Sequence, residues 1–200
     1  MNKTLSLVVS AALASAAALG ARHAYAADGT ITFNGQIVGA TCTITGSGAA
    51  NGTGTITVTL PEVSASALQA KGSTAGDTTF QLTLGGGTNC ANGKTAALWV
   101  EASQTPTLDT VTGALKNNGT ATGVEVRMVN PANGQAINLA VNSPVTNLAT
   151  SISANNQPAA TIAGNTATLN YLAQYFNPPT GGAVSAGSVI TSLTYSMQYN

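Results

Sequence analysis

Val189-Ile190-Thr191-Ser192-Leu193-Thr194-Tyr195-Ser196-Met197-Gln198-Tyr199-Asn200 alternates without a break. Val189, Thr191, Leu193, Tyr195, Met197 and Tyr199 fall on one face of an extended chain, and Ile190, Ser192, Thr194, Ser196, Gln198 and Asn200 on the other. A period of two over so long a span reads as a half-buried β-strand. Shorter stretches upstream carry the same period: Thr55 to Leu60, Phe80 to Leu84, Ala97 to Val100, Val124 to Val129 and Leu169 to Phe176. They are separated by Gly85-Gly86-Gly87, Asn92-Gly93 and Asn133-Gly134, residue pairs and runs that break strands and make turns. Short β-branched segments punctuated in this way predict an all-β chain, an antiparallel β-sandwich of the immunoglobulin-like kind. Helix is expected to amount to one or two turns, over Pro61 to Lys71, where an early proline precedes Ala-Leu-Gln-Ala-Lys and Gly72 supplies a stop. Trp99 sits in an alternating stretch and reads first as a core residue, with a sugar-stacking platform as the alternative.

A second clean alternation lies at the other end of the chain. Gly29, Ile31, Phe33, Gly35 and Ile37 share one face, and Asp28, Thr30, Thr32, Asn34 and Gln36 the other. Before it, Lys3, the apolar run from Leu5 to Leu19 and the small-x-small sequence Ala24-Tyr25-Ala26 have the order of a secretory signal peptide, with cleavage expected after Ala26. The apolar run is shorter than the roughly 20 residues that a membrane-crossing helix needs. The domain plan is therefore a signal peptide over 1–26, an N-terminal extension over 27–38 and one β domain over 39–200. An extension with Ile and Phe on one face, and nothing before it to pair with, needs a partner strand, unless it is simply the first strand of its own sandwich.

Charge narrows the functional classes. Lys and Arg number 6, Asp and Glu number 6, and together they make up only 6% of the chain, against roughly 25% in an ordinary soluble domain. No basic stretch offers the footprint of a nucleic-acid-binding surface. Removal of the signal peptide takes away Lys3, Arg22 and the single histidine, His23. Without a histidine no Ser-His-Asp triad, Cys-His pair or His-bearing metal site can be built from the processed chain. The carboxylates are scattered singly, and no cofactor or metal site is expected; Glu125 and Arg127, two apart on a strand, are expected to be a solvated surface pair. In an oxidising compartment Cys42 and Cys90 are expected to form a disulfide.

These motifs resemble the pilins of chaperone–usher fimbriae, the subunits of type 1 and related fimbriae, over essentially all of the processed sequence. The resemblance rests on the stretch from Ala27 to Cys42, Leu60-Pro61-Glu62-Val63, Ala65 to Gly72, Phe80-Gln81-Leu82 leading to Cys90, Gly119 to Met128, and Leu169 to Tyr175. The end of the chain is the most specific part: Tyr199 is penultimate, and Gly187 stands ahead of the alternating apolar row. What the resemblance implies is a sandwich lacking its last strand, completed by a donor strand from a neighbouring subunit. Gly29, Ile31, Phe33, Gly35 and Ile37 would be the donor row, and Gly187, Val189, Leu193, Tyr195, Met197 and Tyr199 would lie on the strand walling the acceptor groove and be read by the chaperone. The partners implied are other copies or other pilins, a periplasmic chaperone and an outer-membrane usher. The location implied is a fimbria at the bacterial surface. A non-enzymatic shaft subunit is the function expected. The alternatives are a minor adaptor or single-domain adhesin of the same fimbria, or a free secreted carbohydrate-binding sandwich.

Overall fold

A computed structural model describes residues 42–85, 90–142 and 155–200. The signal peptide and the extension over 27–38 lie outside the described residues. Among the described residues eleven strands run in chain order as β1 (Thr43–Gly48), β2 (Ala50–Asn51), β3 (Thr57–Val58), β4 (Thr74–Gly85), β5 (Thr95–Val100), β6 (Leu115–Lys116), β7 (Glu125–Asn130), β8 (Gln135–Ala136), β9 (Ala159–Thr161), β10 (Ala167–Phe176) and β11 (Tyr195–Tyr199). The larger sheet has the order β1-β4-β10-β7-β6, with β8 attached to β7; a second sheet has the order β11-β5-β9, and β2 pairs with β3. The pairing is antiparallel throughout.

The period of two explains how the larger sheet makes a core. Phe80, Leu82 and Leu84 on β4 point inward, and in register across the ladder stand Tyr171, Leu169 and Ala167 on β10. The Phe80 and Tyr171 rings stack at 5.3 Å between centroids, a separation at which aromatic pairs add to simple burial. The next strand outward places Gly46 opposite Leu82. A side chain there would meet Asn51 N and Ile56 Cγ2, each at 3.0 Å, so the missing Cβ lets β2 and the 53–60 segment close over the sheet. The second sheet contributes Ala96, Leu98 and Val100, and together with Val126, Met128, Ile137, Leu139 and Ile162 these residues form one continuous core. Trp99 is half-buried and is not part of that core. It alternates with Leu98 and Val100 on β5 and so faces the other way.

Cys42 and Cys90 are joined, and both sulfurs belong to the core. The bridge closes a loop of 48 residues, which the chain-entropy account makes worth about 4 kcal/mol. Replacing both cysteines by alanine is expected to lower the unfolding free energy by about that amount in denaturant titrations under oxidising conditions. Titrations of the native chain in reductant should match the double variant.

Several local expectations are corrected. The one or two turns expected over Pro61 to Lys71 are a single 3-10 turn, Ala65–Leu68, capped by the Ser64 side chain. Asn177 Nδ2 holds it from outside by donating to Leu68 O at 2.7 Å. A run of this length closes too few hydrogen bonds to extend a helix on its own account. Another 3-10 turn, Ala102–Gln104, follows β5. Leu68, Ala121, Val124 and Val184 form a small second apolar cluster beside the main one. Asn92-Gly93 does turn, with Gly93 at φ 79°, but it launches β5 and does not join two paired strands. Asn133-Gly134 closes the hairpin between β7 and β8. Glu125 and Arg127 are not a solvated pair: Glu125 is buried, and Arg127 Nε donates to Gln174 Oε1 at 2.6 Å.

Candidate functional site: an open strand edge over a half-filled core

The alternating stretch over 189–200, expected as one long strand, is in the structure two unlike halves. Residues 195–199 pair with β5 in register from Tyr195↔Val100 to Tyr199↔Ala96. Residues 188–194 run on without a ladder, secured by the loops that precede β6 and β7. Asn118 N donates to Ile190 O at 2.8 Å, Ala121 N to Ser188 O at 3.0 Å and Glu101 N to Thr194 O at 2.9 Å. Side chains complete the attachment, with Thr107 Oγ1 donating to Ser192 O at 2.5 Å and Ile190 N to Asn117 Oδ1 at 2.8 Å. At the far end Asn200 and Thr95 exchange both backbone bonds.

On the 188–200 segment every one of these backbone groups belongs to an even-numbered residue. In an extended chain the N–H and C=O groups of alternate residues point to the same side. The backbone groups of residues 189, 191, 193, 195, 197 and 199 therefore line the opposite edge, where no backbone hydrogen bond among the described residues reaches them. The same odd-numbered residues turn their side chains inward, since Val189, Leu193, Tyr195, Met197 and Tyr199 all pack on the main core yet remain only half-buried. Their even-numbered neighbours from Ile190 to Ser196 are exposed.

The facing wall comes from residues 53–60. Ile56, Val58 and Leu60 are also half-buried against the main core, and Thr55, Thr57 and Thr59 alternate with them at the surface. Only Thr57–Val58 of this stretch forms a ladder, with β2, so the expected strand from Thr55 to Leu60 is extended but mostly unpaired. No backbone hydrogen bond among the described residues joins 53–60 to 187–199. One phenol reaches across to that wall, and a second ties the strand to the residue before β1. Tyr195 Oη donates to Gly54 O at 2.7 Å, and the Cys42 N–H donates to Tyr199 Oη at 3.2 Å. Burial pushes both phenols above the usual tyrosine range, so each stays a neutral hydroxyl.

Gly187 stands at the head of the furrow. At φ +157° it has no room for a side chain, which would run into the backbone of Thr120 and Ala121. Around it Leu68, Ala121, Val124, Val184 and Val189 line a cavity of about 400 Å³. Two buried hydroxyls in the region, Thr191 Oγ1 and Tyr171 Oη, have no hydrogen-bond partner among the described residues. The structure thus gathers Gly187, Val189, Leu193, Tyr195, Met197 and Tyr199 along one edge. The donor row of Gly29, Ile31, Phe33, Gly35 and Ile37 lies outside the described residues. Sequence reasoning missed the second wall, Ile56, Val58 and Leu60, although its alternation is as regular as that of the first.

Among the described residues no three histidine, cysteine or acidic side chains gather as a metal site. What the fold offers is an apolar, strand-shaped surface, the equipment of a module that joins to others through its backbone. Comparison with known proteins is in keeping with that class. Residues 60–200 match the family FimA, type-1 fimbrial protein A. The chain is 33% identical over 181 residues to the major fimbrial subunit SMF-1 of Stenotrophomonas maltophilia, covering 88% of this chain and 95% of that one. To the F17 fimbrial protein of Escherichia coli it is 34% identical over 178 residues, covering 86% and 87% respectively. The crystal structure of the P pilus rod subunit PapA superposes with a TM-score of 0.53 at 18% identity, over 80% of this chain and all of that one, a likeness of fold. The chain belongs to the type-1 fimbrial protein family and is a fimbrial subunit.

Proposed function

We propose that this chain polymerises head to tail by lending residues 27–38 to the furrow of a neighbouring copy, as the repeating shaft subunit of its fimbria. The observation that carries the proposal is the edge formed by residues 189–199, where backbone groups without a partner among the described residues lie directly over a half-buried apolar row. An open edge of this kind is an aggregation hazard unless another strand covers it, and an added strand gains both main-chain bonds and side-chain pockets. Ile31, Phe33 and Ile37 repeat at the spacing that such a furrow accepts. Burying them contributes roughly 5–9 kcal/mol. Backbone bonds add about 1 kcal/mol each, less the cost of ordering the segment. Donation from one copy to the next is a heterologous contact that does not close on itself, so the product is an open filament.

The same edge explains the partners that assembly requires. A periplasmic chaperone lends a strand while the subunit is alone, an outer-membrane usher receives the complex, and the next subunit's extension replaces the loan. Export through the periplasm follows from the leader over 1–26, and the chain has no catalytic role. A synthetic peptide of residues 27–38, added in excess to dissociated processed subunits, should stop polymerisation followed by light scattering. A scrambled peptide should leave it running. Equal polymerisation with both peptides would refute the assignment of the donor row.

A further inference from the structure

Asn-Gly occurs four times among the described residues, at Asn51-Gly52, Asn92-Gly93, Asn118-Gly119 and Asn133-Gly134. With no side chain on the glycine to obstruct it, the glycine nitrogen of such a pair can approach the asparagine Cγ and attack it. The attack has two requirements. The glycine N–H must give up its proton to solvent, and the asparagine carboxamide must be free to turn towards that nitrogen. All four asparagines are exposed, so access to water does not separate them. Their hydrogen bonds do.

At two of the pairs the fold withholds both reactants. Gly93 N donates to Ile162 O at 2.9 Å and Gly134 N to Asn130 O at 2.9 Å, and an amide bonded in this way gives up its proton only when the structure opens locally. Their carboxamides are held as well. Asn92 Oδ1 accepts from Asn165 N at 2.7 Å, while Asn133 Oδ1 accepts from Gln135 N at 3.0 Å and its Nδ2 donates to Asn156 Oδ1 at 2.7 Å. Asn118-Gly119 is intermediate. The Asn118 carboxamide has no partner among the described residues, but Gly119 N donates to Asn117 Oδ1 at 2.7 Å. At Asn51-Gly52 neither reactant is held, since the Asn51 carboxamide and the Gly52 N–H meet no hydrogen-bonding group among the described residues.

We propose that Asn51 is a site of spontaneous deamidation in the folded chain, that Asn118 follows more slowly, and that the fold protects Asn92 and Asn133. The reaction balances with water as its one co-reactant. Gly52 N passes its proton to a solvent base and bonds to Asn51 Cγ; the Cγ–N bond of the carboxamide breaks, and the nitrogen leaves as ammonia with a proton taken from solvent. Water then opens the five-membered imide at either carbonyl, giving mostly isoaspartate and some aspartate. Each event adds a carboxylate to a processed chain in which 6 carboxylates already face 4 cations. The backbone change has the larger consequence. Asn51 faces Thr57 across the β2–β3 ladder, and Gly52 O accepts from Gly46 N at 3.0 Å. Isoaspartate inserts a methylene into the main chain between these two contacts, so the segment 53–60 cannot keep both registers.

The test is peptide mass spectrometry of the processed chain, its disulfide intact, held in mildly alkaline buffer and compared with the same chain held unfolded in denaturant. Unfolded, all four pairs should react at similar rates. Folded, Asn51 should react within a few-fold of its unfolded rate and Asn118 more slowly, while Asn92 and Asn133 should slow by at least about tenfold. The Asn51 product should be about 1 Da heavier than the parent and mostly isoaspartate, and hydrogen exchange at Gly46 N should be faster in it. A folded chain in which Asn51 is as slow as Asn92 and Asn133 would overturn the proposal. Aspartate without isoaspartate would refute the imide route. N51Q has no five-membered path, so it should give fewer acidic forms in isoelectric focusing of the aged chain; an unchanged pattern would place the reaction elsewhere.

Discussion

Deleting residues 27–34 should abolish fimbriae while leaving the β domain folded. The deletion removes Gly29, Ile31 and Phe33 from the proposed donor row and leaves the furrow, the disulfide and every described strand in place. Loss of Ile31 and Phe33 alone forfeits roughly 3–6 kcal/mol of apolar burial at each joint, which weakens association by about two to four orders of magnitude. Shortening the ladder adds to that. Electron micrographs of cells expressing only the deleted form should show no filaments, and the subunit should still be recovered from the periplasm with its disulfide formed. Filaments of normal length would remove the extension from the assembly mechanism.

Leu193→Asp should be nearly as severe, for the opposite reason. Leu193 packs inward from the open edge and is half-buried against the main core. A strand laid over it would seal an ionised carboxylate into an apolar furrow with no cation to meet it, at a cost of several kcal/mol. Ile190→Asp is the informative contrast, because Ile190 is 63% exposed on the outer face of the same segment. A surface change there is expected to stay within about 0.5 kcal/mol. Subunit yield from the periplasm and filament number per cell should fall sharply for Leu193→Asp and hold steady for Ile190→Asp. Equal effects would mean that the two faces of 188–194 are not distinguished in assembly.

Where the alternation of side chains reports on local burial, the sequence was legible. The rows 80-82-84, 167-169-171 and 189–199 each fall on the face that their period indicates. What period cannot carry is the partner of a backbone group. Residues 188–194 and 195–199 have the same pattern, yet only the second half joins a ladder, because loops around 101–107 and 117–121 satisfy the first. At Pro61 to Lys71 the place of the turn was legible, but its 3-10 form and the distant asparagine that holds it were not. The neighbours of Glu125 were hidden for another reason. Its spacing from Arg127 is local, but the hydroxyl that it accepts from, Thr112 Oγ1 at 2.7 Å, lies in the turn before β6, whose fold sets the contact. Ile56, Val58 and Leu60 were visible as a row, and only the three-dimensional structure makes that row the wall facing β11.

The attachment of Cys42 has a mechanical meaning. Tension arriving through the residues before it enters the domain at one point, where a covalent bridge to Cys90, a bond to the penultimate side chain and the first residue of β1 converge. Drawn lengthwise, β1 resists along its whole register with β4, from Thr43↔Gly85 to Gly48↔Phe80, so its bonds are sheared together and are not peeled one at a time. The S–S bridge makes the remainder of the sandwich share the load before that shear begins.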